Sequence, residues 1–354
     1  MVGISLLTLV PGVFGGTETY ARELVRALAR VGTLEYKVFT PELAEDAADG
    51  LPGVRVRSYR ARRTMRGRLL AMGLATASPR LRRELRLDEL QAIHFPLSIM
   101  MPPIRRPPAV TTVHDVLDKI HPEVFSRGEL AYRRIVYGWT ARLSRLIIVP
   151  SEHSKEVFVE RAGFDPGRIR VIPLGVSPER YRPGTEEREP FLLYPADNWP
   201  HKNHERLLEA FARVRQSRPD LRLVLVGARL ESMPAAPGVE VRGYVSPDEL
   251  AALYRTATAL VFPSLHETFG LPPLEAMASG CPVAVSRAGS LPEVCGDAAR
   301  YFDPRSPEEI AEAILSVVDD PVSLVAKGLE RAKRYTWDES ARRHEDVYRE
   351  LSGL

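Results

Sequence analysis

Cysteine is nearly absent from this 354-residue chain, where Cys281 and Cys295 are the only two. Two thiols build neither a disulfide framework nor a zinc cluster, so the sequence predicts a reducing, cytoplasmic setting. Long apolar runs are also missing. No stretch reaches the roughly 20 residues of a membrane span, and Met1 to Val10 lacks the charged lead-in of a signal peptide. No Asp-x-Asp triplet is there to hold a divalent ion. His201 and His204 stand three apart with no third ligand nearby, which disfavours metal-assisted chemistry. There is no Walker loop, no dinucleotide fingerprint, no nucleophile elbow and no kinase signature.

What is present is an uneven charge on a chain long enough for two cores. Residues 1–180 hold 28 Lys and Arg against 19 Asp and Glu; residues 181–354 hold 21 against 27. The basic surplus peaks between Arg55 and Arg86, with eleven arginines and Glu84 as the one acid. Among Arg62, Arg63, Arg66 and Arg68 runs an apolar stripe of Met65, Leu69, Leu70, Met72 and Leu74. A basic amphipathic segment suits an anionic membrane surface, and equally a solvated basic face. Tyr59 is the one aromatic residue among the arginines, too little for base stacking along the segment, so nucleic acid is not the expected partner.

Strand and helix signals alternate along the whole length. The sequence predicts strands at 4–10, 36–40, 92–95, 110–114, 146–150 and 169–172, then at 192–195, 221–227 and 259–263. Helices are expected at 17–30, 127–144, 152–162, 203–217, 322–334 and 337–351. Ser246-Pro247-Asp248-Glu249 and Ser306-Pro307-Glu308-Glu309 both read as capping boxes with proline at the first helical position. Such alternation gives parallel sheets covered on both faces. The expected fold class is α/β, with two Rossmann-like doubly wound domains facing a cleft. The expected bounds are 1–174 and 175–335, with residues 336–354 as a terminal helix.

Four segments sit where open α/β sheets bind ligands, at the carboxyl ends of strands. Glu267 and Glu275 lie eight apart, one on the loop after an apolar strand and the other in the first turns of the helix opened by Pro272-Pro273. They suit sugar hydroxyls and a ribose, or simply the positive end of a helix. Lys202 follows a strand and precedes a helix, where a point charge can stabilise a leaving diphosphate. Gly15 and Gly16 end a glycine-rich turn that feeds a helix N-terminus, offering backbone N–H groups to an anion or merely turning the chain. His114, leaving a strand, can donate to a sugar hydroxyl or move a proton, or be structural.

Together these pieces resemble family 4 of the retaining glycosyltransferases, which have the GT-B fold. The likeness runs through Gly15-Gly16-Thr17-Glu18-Thr19-Tyr20, Thr112-Val113-His114-Asp115, Val149-Pro150-Ser151-Glu152-His153-Ser154-Lys155, Val171-Ile172-Pro173-Leu174-Gly175-Val176, Lys202-Asn203, Leu223-Val224-Leu225-Val226-Gly227, and residues 267–283. The resemblance implies that Glu275 binds the ribose of a nucleotide sugar. Glu267, Thr268, Phe269, Gly270 and Leu271 would hold the transferred sugar. Lys202 would neutralise the diphosphate with the amides of Gly15 and Gly16, and His114 would touch the donor sugar on the acceptor side. Tyr244 and Val245 would approach the base, and the terminal helix would return to the first domain. The family's usual arginine just before the lysine is missing from Ala196-Asp197-Asn198-Trp199. Either Lys202 and the helix termini carry more of the charge, or Arg229 compensates.

The expected activity is a retaining hexosyl transfer without metal or other cofactor. The donor would be GDP-mannose, or a UDP-sugar, and the acceptor a lipid-linked molecule or glycan at the inner membrane face. A sugar-nucleotide epimerase and a non-catalytic sugar-nucleotide-binding subunit are the rival readings.

Overall fold

The computed structural model describes residues 1–12, 15–60, 65–76 and 78–353, without the side chains of Met65, Arg66 and Arg68. The chain divides into two compact units, Met1–Gly175 with Trp337–Leu354, and Val176–Thr336. Each is built on one parallel sheet whose central strands are buried on both faces, the pattern of a sheet sandwiched between helices.

The first sheet has seven strands: β1 (Val2–Ser5), β2 (Tyr36–Pro41), β3 (Gly53–Val56), β4 (Ala92–Phe95), β5 (Ala109–Thr112), β6 (Leu146–Val149) and β7 (Ile169–Val171). Their order is β3-β2-β1-β4-β5-β6-β7. The helices threading it are α1 (Gly16–Val31), α2 (Met65–Thr76), α3 (Pro79–Leu85), α4 (Leu117–Ile120), α5 (Arg127–Leu143) and α6 (Glu152–Ala162). The second sheet has six strands: β8 (Glu189–Pro195), β9 (Arg222–Val226), β10 (Val239–Gly243), β11 (Ala257–Phe262), β12 (Val283–Ser286) and β13 (Arg300–Phe302), in the order β10-β9-β8-β11-β12-β13. Its helices are α7 (His204–Ser217), α8 (Pro247–Thr256), α9 (Leu271–Ala278), α10 (Leu291–Cys295), α11 (Pro307–Asp319) and α12 (Val322–Ala332).

The last helix, α13 (Trp337–Ser352), packs on α1 of the first unit. Glu345, almost fully buried, accepts hydrogen bonds from the Thr33 and Leu34 amides at 2.6 and 2.9 Å and from the Tyr36 hydroxyl at 2.5 Å. Those donors, outweighing burial, keep its carboxyl below the ordinary carboxylate range.

Several sequence expectations are corrected. β1 ends at Ser5 rather than continuing to Val10, because Leu9 N–H turns back to the Leu6 carbonyl at 2.8 Å. Leu6, Leu7, Leu9 and Val10 are buried nonetheless, so their hydrophobicity records core packing rather than strand pairing. β5 stops at Thr112, which leaves His114 on the loop beyond it. Ser306 caps α11 by accepting from Glu309 N–H, but Glu309 reaches back to Asp303 N–H, so the second box is only half made. At Ser246 both halves form. Strands β3, β10, β12 and β13 go beyond those expected. Both cysteines are buried thiols pushed up to about 12, which removes them as nucleophiles at neutral pH.

Candidate functional site at two sheet edges

In the second unit the site grows from the ends of β8 and β11. After β8 the chain makes a tight turn at Pro200–Lys202, and Asn203 takes a left-handed conformation, φ 63°. The Asn203 side-chain Nδ2 donates to the carbonyls of Pro263 (3.0 Å) and Pro304 (2.7 Å). Leu265 N–H donates to the His201 carbonyl at 2.7 Å, and the Tyr194 hydroxyl to the Lys202 carbonyl at 2.5 Å. These bonds weld the loop after β8 to the loop after β11.

The weld sets the charges. Lys202 Nζ lies 2.6 Å from Glu267 Oε1, with both side chains largely buried, and 5.6 Å from the centre of the Phe262 ring. Burial alone would raise the Glu267 carboxyl. The Lys202 charge and hydrogen bond, with smaller help from Ser264 and His201, bring it below its ordinary value instead. Glu267 is therefore an anion at neutral pH and Lys202 its counter-ion.

The backbone here is equally constrained. Ser290 donates its amide to the Glu267 carbonyl at 3.1 Å, and its single hydroxyl proton is shared between the Phe269 carbonyl at 2.8 Å and the Glu267 carbonyl at 3.1 Å. Gly289 has φ 58°, and a Cβ there would stand 2.4 Å from the Glu267 carbonyl oxygen. Gly270 is left-handed at φ 103° and caps α9. Thr268 and Leu271 are half-buried beside it, and Phe269 is buried. Glu275 lies within α9, only 5% exposed, and accepts from the Tyr254 hydroxyl at 3.2 Å. Tyr244 is 78% exposed and Val245 half-buried, just past β10. The Arg229 guanidinium stacks over the Trp199 ring at 4.2 Å, on the loop that leads to Lys202.

The first unit presents a different edge. His114 follows β5, and its Nε2 is 2.8 Å from the Pro96 carbonyl. A carbonyl only accepts, so Nε2 carries the proton. Burial pushes the ring down to about 4, against the pull of that hydrogen bond and of Asp115, so it is neutral and Nδ1 is its acceptor. The expected donor to a sugar hydroxyl is thus, at Nδ1, an acceptor. Asp115 accepts from Leu117 N–H and pairs with Arg133, both at 2.7 Å.

The His114 ring meets Tyr20 edge-on at 4.4 Å. Tyr20 belongs to a buried chain of hydrogen bonds whose directions can be deduced. His344 Nδ1 must donate to the Ser340 carbonyl at 2.7 Å, so its Nε2 accepts from the Tyr20 hydroxyl, also at 2.7 Å. Tyr20 then accepts from Thr112 Oγ1, which accepts from His94 Nε2, both at 2.8 Å. His94 Nδ1 accepts from the Tyr348 hydroxyl at 2.7 Å. Burial lowers the pKa of both histidines, His344 to about 4. Sequence reasoning missed this chain, whose bonded partners lie up to 324 positions apart.

Gly15 and Gly16 are exposed at the start of α1, with Gly15 as its N-cap. Gly12 N–H donates to Glu18 Oε2 at 2.8 Å, so a carboxylate of the chain already takes one amide of this turn. Val13 and Phe14 lie outside the described residues. No group of three His, Cys, Asp or Glu placed to hold a metal occurs among the described residues.

Comparisons with known proteins bear on both edges. Residues 177–343 match the model of glycosyl transferases group 1, and residues 14–180 that of glycosyltransferase family 4. The O-antigen chain mannosyltransferase B of Escherichia coli is 30% identical over 274 residues, 70% of this chain and 72% of that protein. An MMP alpha-(1->4)-mannosyltransferase of Mycolicibacterium hassiacum is 30% identical over 268 residues, covering 68% of this chain and 65%, just under two thirds, of that protein. In structure, the sucrose-phosphate synthase of Thermosynechococcus elongatus aligns over 99% of both chains with a TM-score of 0.77 at 21% identity, a likeness of fold.

Proposed function

The chain is a glycosyltransferase of family 4 with the GT-B fold, and from that premise we propose that it moves a hexose from a nucleotide-diphosphate sugar to a lipid-linked or glycan acceptor, with retention at the anomeric carbon and without a metal ion. The observation that carries this reading is the Lys202–Glu267 pair at the carboxyl edge of β8 and β11. Breaking the bond between an anomeric carbon and a diphosphate loads negative charge onto the leaving oxygens. A fixed cation stabilises that charge without reorganising at the moment of reaction. Glu267 fixes the cation. Arg229, on the loop after β9 and stacked on Trp199, is the second cation beside the Lys202 loop and takes the part of the absent arginine.

The same pair supports retention by same-face attack. A carboxylate already neutralised by an ammonium is a poor nucleophile, so Glu267 orients the sugar and the departing phosphate takes the acceptor's proton. His114, neutral with Nδ1 as acceptor, orients a hydroxyl. Glu275 takes the ribose, Gly15 and Gly16 lend amides to the diphosphate, and Tyr244 and Val245 border the base. Two relatives named as mannosyltransferases support mannose as the sugar, and GDP-mannose is the donor proposed ahead of a UDP-sugar.

The test is transfer from a panel of nucleotide sugars to glycan and lipid-linked acceptors in the presence of EDTA. Transfer should persist, the product keeping the donor's anomeric configuration. Lys202→Ala and Glu275→Ala should each lower it about tenfold or more with the fold intact. Wild-type rates in both variants defeat the reading, and conversion of donor alone, without acceptor, turns it into an epimerase.

Peripheral binding at the inner membrane face is the remaining part of the proposal. Among the described residues no helix is long and apolar enough to cross a membrane. Leu69, Leu70 and Leu74 of α2 are 44%, 66% and 68% exposed, while Met72 is buried. Arg62 and Arg63, and the side chains of Met65, Arg66 and Arg68, lie outside the described residues. Co-sedimentation with anionic vesicles at low salt, lost at high salt, supports it; no pelleting at low salt ends it.

A further inference from the structure

The first unit contains a cavity of about 720 Å³ that the transfer reading leaves unused. It lies on one face of the sheet beneath α4, α5 and α6. Thr112 points to Tyr20, so its neighbours Thr111 and Val113 point to the opposite face, where this cavity is. Its floor is apolar, made by Val113, Ala141, Ile147 and Phe158. Its volume is that of pockets which enclose a small ligand, typically about 300–1,000 Å³.

The charged lining is not balanced. Arg133 pairs with Asp115 at 2.7 Å, Lys119 with Asp118 at 2.8 Å, and Asp165 accepts from Gly167 N–H at 2.8 Å. Each acid of the lining therefore has a partner. Arg168 hydrogen-bonds the carbonyls of Ala141 and Ser144. That leaves Arg134, Arg142 and Arg161, all exposed, for which the described residues provide no ion pair. Arg142 and Arg161 end α5 and α6, where a helix dipole favours cations. The dipole explains neither Arg134, in mid-helix, nor the empty volume.

Gly138 supplies an independent observation. It sits inside α5 and lines the cavity, and a Cβ built on it meets nothing within 4 Å. Glycine inside a helix costs about 1 kcal/mol relative to alanine. No neighbour within the protein needs the room it leaves. Apolar floor, cationic mouth and vacated helix flank together describe a receptacle for something that is greasy along its length and anionic at one end.

We infer that this cavity binds an amphiphile with an apolar chain and a phosphate head. The chain lies against Val113, Ile147 and Phe158, past Gly138, and the phosphate meets Arg142 and Arg161. Both α5 and α6 end at the amino edge of the sheet, so the head sits there and the chain points toward the carboxyl edge beside Asp115. The cavity shares no residue with the donor edge of β8 and β11. A phosphate-bearing lipid carrier and a bilayer phospholipid share this chemistry.

Calorimetry on the full chain tests it, with dodecyl phosphate below its micelle concentration as probe. Inorganic phosphate, dodecyl maltoside and dihexanoyl phosphatidate form the other arms, and GDP is titrated into the same samples. Dodecyl phosphate should bind saturably, one per chain. Gly138→Phe should weaken it about tenfold or more without lowering the thermal midpoint, and so should Arg142→Gln with Arg161→Gln. Should Gly138→Phe fail to fold, Ala162→Leu, from α6, narrows the same cavity. Dodecyl maltoside binding as tightly overturns the anionic half, and phosphate alone binding as tightly overturns the apolar half. Wild-type affinity in a folded Gly138→Phe overturns the location. Phosphatidate matching dodecyl phosphate supports the site with a bilayer lipid as its source; weak phosphatidate binding supports it with a single-chain carrier. GDP binding without amphiphile binding overturns this inference while leaving the transferase reading in place.

Discussion

Lys202 Nζ stands 2.6 Å from Glu267 Oε1, and this contact joins two loops 65 positions apart into one charged edge. Lys202 is 19% exposed and Glu267 13%, so neither charge is well solvated without the other.

Replacing the lysine therefore acts on stability as well as rate. With its carboxyl held below the ordinary value, Glu267 contributes stability above about pH 4.5 and loses it as the pH falls further. In Lys202→Gln the carboxylate is buried without a counter-ion at neutral pH. Urea denaturation should show a loss of about 3 kcal/mol at pH 7, shrinking at pH 4, where Glu267 takes up a proton. An equal loss at both pH values would mean that the pair is not what stabilises this edge.

Arg229 should matter to the diphosphate and not to the nucleoside. Its guanidinium is held over Trp199 at 4.2 Å, on the stretch leading to Lys202. Arg229→Gln should weaken GDP or UDP about fivefold, close to 1 kcal/mol, while guanosine or uridine binds unchanged. Equal loss for nucleoside and diphosphate would assign Arg229 to the loop's structure alone.

The buried histidines give the first unit an acid limit. His94 and His344 are fully buried, and burial holds both below the ordinary value of 6.5, His344 at about 4. The unfolded chain protonates these rings first, so stability is complete above about pH 6.5 and falls as the pH drops toward 4, by at most about 1.4 kcal/mol per pH unit for each ring. Thermal unfolding between pH 7 and 4.5 should follow this fall, and His344→Phe should flatten it by about one proton. An unchanged slope in that variant would contradict the neutral assignment.

Gly289→Ala should be costly despite the small change. Its φ of 58° disfavours any side chain, and a Cβ would press on the Glu267 carbonyl at 2.4 Å. Stability should fall by roughly 1–3 kcal/mol, with a larger proportional loss of transfer because Glu267 moves. A folded variant with full activity would show that the loop has room to spare.

What the sequence shows of this molecule follows from how far apart the cooperating residues are. The β-α rhythm, Ser246 as a capping residue and the loop-to-helix step at Gly270 are local patterns, and all are present. The carboxyl-edge locations of Lys202, Glu267 and Glu275 follow from strand-then-helix order alone. The ion pair between Lys202 and Glu267 does not, since it depends on β8 and β11 lying side by side. Gly289 reads as an ordinary turn residue until Glu267 is seen against it. The chain through Tyr20, Thr112, His94, His344 and Tyr348 is further out of reach, because it exists only once α13 docks on the first unit. The overshoot of β1 has the opposite cause, burial being visible in composition and strand pairing not.

Titration of GDP-mannose and UDP-glucose into the full chain and into Glu275→Ala, read by calorimetry, tests the donor edge most directly. The account predicts one saturable site in the wild type, and binding weakened about tenfold or more in a variant whose thermal midpoint is kept. Equal affinity in the two proteins, or no nucleotide sugar bound by the wild type, would contradict it.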